Sequence, residues 1–227
     1  MLILIVIAVL LLLVFGPSLW VRRVIQRYRT PADRYPGTGG ELAQHLIERF
    51  DLSDVTVEQT ETGDHYDPLT KTIRLTPDNF DGKSLTAVTI AAHEFGHAIQ
   101  DATRYGPLRW RTRLILLTNP AQKLGAGLLL LSPFIGMMSR APSATALLFI
   151  GGLLSLGTAT VVHMMTLPME LDASYGRALP ILSEGDYLLD GDLPHARRLL
   201  KAAALTYVSA SLLSLLNVGR WWAILRR

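Results

Sequence analysis

The chain has no cysteine in its 227 residues. Disulfides, thiolate metal ligands and a cysteine nucleophile are excluded together, so any metal must be held by His, Asp or Glu. Charge is scarce: 18% of residues are Asp, Glu, Lys or Arg, against 49% hydrophobic, an apolar balance high for a globular domain. The net charge is only +3. No basic run is interleaved with aromatics, which leaves nucleic-acid binding without support. There is no internal repeat and no low-complexity segment. The length allows one or two compact units.

Uncharged stretches are what the chain has in quantity. Residues 1–21 carry no charge and are long enough to cross about 30 Å of hydrocarbon. A basic start and a small-residue cleavage site are missing, and Arg22 and Arg23 follow directly. An uncleaved anchor is expected rather than a cleaved signal. The apolar segments 124–139, 146–167 and 202–219 extend to three further expected spans at 118–139, 144–167 and 202–222. Buried helices of a core would share this composition. With four spans, fourteen Lys and Arg near span ends fall on the side of residues 22–113 and 168–201, against four on the other. That bias predicts a cytoplasmic location for the polar regions.

Within the polar block, Leu42, Leu46, Ile47 and Phe50 have helical spacing. VTVEQTE (55–61) and TKTIRL (70–75) read as strands, the second as a half-buried edge or an internal strand, with a turn near Asp67-Pro68. DNFDGKS (78–84) reads as a loop, and Ser84 can cap a helix over 84–103.

That helix carries AAHEFGHAIQ (91–100). His93 and His97, four apart, project from one face about 6 Å apart at Cβ. Two imidazoles at this spacing can converge on one zinc ion. Glu94 can reach a water in the open position of such a zinc and take its proton, the HExxH arrangement of metallopeptidases. The simpler alternative is a helix with two hydrogen-bonded histidines and a solvated glutamate. Gly96 costs about 1 kcal/mol in a helix interior. Close approach by another element, such as the one bringing a third ligand, would compensate.

A catalytic zinc needs three protein ligands and an open site. The continuation HExxHxxGxxH fails, because Gln100 and Thr103 stand where a glycine and a histidine are needed. Candidates for the third ligand are Glu170, His163, Asp172 and His65. Glu170 is preferred: it stands in the apolar stretch TLPMELDAS, where an acid calls for a partner, on the same side as the two histidines. The bland reading of Glu170 is a carboxylate at a helix start after Pro168. An oxyanion donor besides zinc is also needed: His65 and Tyr66 in DHYDP are candidates, as are His163 and Tyr175, with turn chemistry at Asp64 and Asp67-Pro68 as the alternative reading of DHYDP.

The segments DHYDPLTKTIRL, GKS, AAHEFGHAIQ, TLPMELDAS and KAAALTYVSA together resemble the YugP-type neutral zinc metallopeptidases, small bacterial membrane proteins, over almost the whole chain. The layout is more distantly similar to the HtpX and CAAX-processing membrane peptidases. This resemblance implies one zinc per chain held by His93, His97 and Glu170, with Glu94 as base. In the HtpX-like proteins an aspartate four residues after the ligand glutamate can orient a histidine. Here that position is Ser174, and Asp172 is the nearest acid.

The expected fold is mainly α with a small β-hairpin or sheet: a multi-pass helical membrane protein carrying a zincin-like catalytic region. Residues 1–21 form the anchor, 22–113 the catalytic region, and 114–227 a helical membrane region with the third-ligand segment at 168–176. The expected function is a zinc-dependent endopeptidase in a bacterial inner membrane, facing the cytoplasm, in contact with the lipid bilayer and acting on peptides or proteins, membrane proteins included. A non-catalytic scaffold with a structural metal, or a zinc amidase acting on a small molecule, are the alternatives.

Overall fold

A computed structural model describes residues 2–139, 143, 146–151, 166–206 and 208. The elements run α1 (Leu2–Arg27), α2 (Gly39–Arg49), β1 (Thr56–Gln59), β2 (His65–Asp67), β3 (Thr72–Leu75), α3 (Pro77–Phe80), α4 (Leu85–Ala102) and α5 (Gly106–Ser139). Helical residues 166–171, here α6, continue into a π-helix, π1 (Asp172–Ala178), and then α7 (Leu179–Glu184). A last helix, α8, covers 193–206. The chain divides into two compact units. One comprises residues 16–109 and 167–206; the other comprises 1–15, 110–166 and 207–227.

The first unit is built around α4. Every residue from Leu85 to Ala98 is buried, which an apolar circumference permits. Leu85, Val88 and Ala92 pack with Val21 and Val24 of α1, Leu182 of α7 and Leu199 of α8. Ile90, Ala91, Phe95 and Ala98 pack with Leu46 and Ile47 of α2 and Ile73 and Leu75 of β3. Ser84 caps α4, its hydroxyl accepting from the Ala87 amide. Thr86 donates its amide to the Tyr28 carbonyl and its hydroxyl to that of Ile25. This satisfies carbonyls left open at the end of α1. A reciprocal capping box between Thr38 and Glu41 starts α2.

The sheet order is β1-β3-β2, with β1 parallel and β2 antiparallel to β3. The strand at Thr72–Leu75 is therefore internal. The edge reading is corrected: β1 pairs from one side and β2 from the other, and Ile73 and Leu75 are fully buried. Residues 78–80 of the expected loop join Pro77 in a single helical turn, Pro77–Phe80, opened by a proline whose fixed φ suits that position.

The buried Asp192 accepts from Arg34 Nε at 2.6 Å and NH2 at 2.7 Å and from the Tyr35 hydroxyl at 2.6 Å. This pins the segment after α1 to the start of α8. Burial opposes the Asp192 charge, but the Arg34 and Tyr35 hydrogen bonds outweigh it and hold the pKa below the ordinary value. A lowered folded pKa contributes stability above the unfolded value of about 3.9, and that contribution is lost as pH falls through the folded value. The urea midpoint is expected to fall further between about pH 6 and about pH 2.5 in the parent than in Asp192→Asn. Equal falls would remove Asp192 from the acid response.

The second unit, among the described residues, presents exposed apolar side chains at Leu12, Leu13, Leu124, Phe134 and Leu147. No helix among the described residues is long and apolar enough to cross a membrane. The multi-pass expectation, with its 1–21 anchor and 118–139 span, is corrected accordingly. Helix α1 gives Val21 and Val24 to the core around α4. Arg109, Arg111, Arg113, Asn119 and Lys123 interrupt the apolar run of α5. The expected spans at 144–167 and 202–222 fall mostly outside the described residues. The four-span arithmetic behind the orientation goes with them.

Candidate metal centre

Helix α4 presents His93 and His97 one turn apart, their rings edge to face with centroids 4.9 Å apart. Glu170 arrives from α6, fully buried. Its Oε2 lies 3.4 Å from His93 Nε2 and 3.2 Å from His97 Nε2. One ligand atom from each of the three residues falls within 4.8 Å of the others.

Gly96 makes this approach possible. A Cβ at that position would lie 2.6 Å from the Ala173 backbone oxygen of π1, so only glycine lets the two backbones meet there. Gly96→Ala gains helix propensity of about 1 kcal/mol but overpacks a backbone contact, at a cost of about 1–3 kcal/mol. Net destabilisation is expected, read as a lower urea midpoint. An unchanged midpoint would show that π1 can retreat without loss.

The protonation pattern follows from the outer hydrogen bonds. Gln100 Nε2 donates to the Met169 carbonyl at 2.9 Å and to Asp172 Oδ2 at 2.7 Å. Both its protons are used, so Gln100 Oε1 faces His97 and accepts from Nδ1–H at 2.9 Å. Ser174 Oγ donates its one proton to the Leu200 carbonyl at 3.1 Å and accepts from His93 Nδ1–H, also at 3.1 Å. In the neutral rings, both Nε2 lone pairs therefore point at Glu170 Oε2, with no proton of their own between them. Among the described residues, Glu170 Oε1 is buried with no hydrogen-bond partner. Lone pairs facing lone pairs in a buried pocket require a cation.

A proton can take that place. Burial disfavours charge on His97, yet Glu170 outweighs it and raises the pKa to about 9. Burial likewise opposes the Glu170 charge, but the two imidazoles lower its pKa to about 2. A proton satisfies one pair of atoms. A divalent ion with nitrogen and oxygen preferences satisfies the whole donor set, so His93, His97 and Glu170 fit zinc.

Glu94 is buried, and burial raises its pKa, with Glu170 and Asp64 adding to the rise and both histidines opposing it. Among the described residues its carboxylate has no hydrogen-bond partner. Tyr66 is committed elsewhere: its hydroxyl donates to Asp101 at 2.9 Å and its ring belongs to the core. His65 is half-buried on β2, with Nδ1–H donating to the Gly63 carbonyl at 2.8 Å. Asp64 accepts from the Thr76 amide and hydroxyl and from Asn79, and Asp67 accepts from Leu69, Thr70 and Arg74. DHYDP thus performs structural turn chemistry around His65. His163 lies outside the described residues.

Two residues that hold the histidines, Gln100 and Ser174, are not apparent from the sequence. The available signals were a polar side chain three after His97 and one four after Glu170. Asp172 touches Gln100 rather than a histidine.

Two histidines on one buried helix and a glutamate from a second helix define a three-donor centre with a carboxylate beside it, the makings of a zinc hydrolase. The chain belongs to the family described as "Putative neutral zinc metallopeptidase", which matches residues 2–226. It is 32% identical over 213 residues to "Putative membrane protease YugP" of Bacillus subtilis (strain 168), covering 91% of this chain and 90% of that protein. No solved structure matches.

Proposed function

We propose that this chain is a zinc-dependent endopeptidase in which His93, His97 and Glu170 hold one zinc and Glu94 is the general base. The observation that carries this reading is the convergence of two Nε2 lone pairs and the buried Glu170 carboxylate, with the buried carboxylate of Glu94 coupled to all three. Zinc, when bound, acidifies water and polarises a carbonyl. Glu94 takes a proton from the attacking water and hands it to the leaving amine. Its raised pKa brings the carboxylate nearer to neutrality, where one group can do both. Gln100 and Ser174 keep both imidazoles oriented, so the site reorganises little during reaction. His65 offers an Nε2–H to the developing oxyanion only as the imidazolium, because its Nδ1–H is held on the Gly63 carbonyl. The edge strand β2 can pair with an extended peptide.

A bacterial membrane location is supported by the name of the Bacillus relative. The arginines at 22–27 and 104–113 suit anionic headgroups. Purified protein is expected to carry one zinc per chain by elemental analysis and to cleave an unfolded protein substrate. A chelator should stop cleavage, and added zinc should restore it. Cleavage that survives complete zinc removal would end this reading.

A further inference from the structure

Apart from the metal centre, a cavity of about 300 Å³ opens between the end of α2 and the π1–α7 segment. Phe50, Ile99, Pro180 and Ile181 give it an apolar wall, and Arg49 and Arg177 line it as well. An aromatic ring steadies each guanidinium. Arg49 lies 5.6 Å from the Tyr187 ring centroid and donates NH1 to its hydroxyl at 2.8 Å. Arg177 lies 5.9 Å from the centroid of Tyr105.

Among the described residues, Arg49 pairs with no carboxylate. Among the described residues, Arg177 uses only Nε, on Asp172 Oδ2 at 3.3 Å. Glu184 also lines the cavity but forms no ion pair with either arginine among the described residues. Two forks therefore keep N–H donors in reserve above an apolar surface. A planar carboxylate matches a guanidinium through two parallel bonds, and an apolar body attached to it would be desolvated against Phe50 and Ile181.

We propose that this cavity binds a carboxylate carried on an apolar body, and that its occupancy is felt at the metal centre through Arg177. The connection is continuous. Arg177 Nε donates to Asp172, which also accepts from Gln100, whose oxygen accepts from His97 Nδ1–H. A ligand that draws Arg177 toward the cavity loosens Asp172 and, through it, the orientation of His97. Two sources share this chemistry: the new C-terminus of an apolar peptide and a fatty acid. The first source rests on the peptidase reading; the site itself does not.

The test titrates zinc-loaded protein calorimetrically with N-acetyl-leucyl-leucine, its C-terminal amide, and decanoate. An acid is expected to bind, with the dipeptide amide about tenfold weaker than the dipeptide acid, and Arg49→Gln should weaken acid binding by about the same factor. Tighter binding of the dipeptide acid assigns a peptide source, and tighter binding of decanoate a fatty acid. Neither acid binding, amide binding as tight as acid, or an unaffected Arg49→Gln overturns the site. Zinc release to a chromophoric chelator should quicken about twofold or more with the bound acid and lose that response in Arg177→Lys. Release that ignores the ligand overturns the coupling. None of these readouts needs turnover, so an inactive chain would still answer them.

Discussion

Replacing Glu94 with glutamine is expected to lower peptide hydrolysis by about 10²–10⁴-fold, the range that a positioned general acid–base contributes, and to leave the zinc content at the parental level. The two side chains have the same shape, so the packing around α4 is kept. The three donors that fit the metal are His93, His97 and Glu170, and the substitution touches none of them. What disappears is a buried carboxylate whose proton affinity burial has raised. An amide cannot take a proton from water at neutral pH. The measurement is kcat on a quenched fluorescent peptide, with zinc determined on the same preparation. A variant that cleaves as fast as the parent would falsify the assignment of Glu94. A variant without zinc would show instead that the carboxylate helps build the centre.

The second large effect concerns the metal itself and takes the form of a graded pair. Glu170→Ala removes the only anionic donor of the three and leaves two facing imidazole lone pairs with no counter-charge. Zinc affinity should fall by more than about a hundredfold, beyond the usual cost of losing an outer partner. Ser174→Ala keeps all three donors but frees His93 Nδ1, so the ring can turn and change tautomer. Its affinity loss should lie within about 10–100-fold. Competition against a chromophoric chelator ranks the two. If Glu170→Ala holds zinc as tightly as Ser174→Ala, the third ligand lies elsewhere.

The local features of the site are legible in the sequence. The helix bearing the histidines shows in its cap and apolar circumference, Gly96 announces a close neighbour by its cost, and Glu170 stands out as an acid in an apolar stretch. Local pattern marks Gln100 and Ser174 only by spacing, three after His97 and four after Glu170, and does not say which histidine each holds. Their roles depend on α4 and π1 meeting across more than seventy residues of chain, with Gln100 reaching Asp172 and Ser174 reaching His93. Strand order is non-local too: TKTIRL looks the same at an edge or in the middle, and only the arrival of β1 decides it. Tyr66 shows the same limit, since its hydroxyl is committed to Asp101, a partner 35 residues away. The expected spans at 1–21 and 118–139 are the largest departure, because apolar composition alone does not distinguish a core contact such as that of Val21 from a lipid contact.

The wide winding of π1 has a consequence for how such a chain can change over time. The Leu179 amide reaches back five residues to the Ser174 carbonyl, as in a helix that has accepted one supernumerary residue. Deleting one residue at 172 or 173 would restore ordinary pitch and move the residues inside the wide turn up one place, about 100° around the axis. Ser174 and Arg177 could not then keep their bearings relative to Glu170, while α4, the sheet and α2 would be untouched. One in-frame loss would thus unseat the partner of His93 at the candidate metal centre, with most of the scaffold surviving the change.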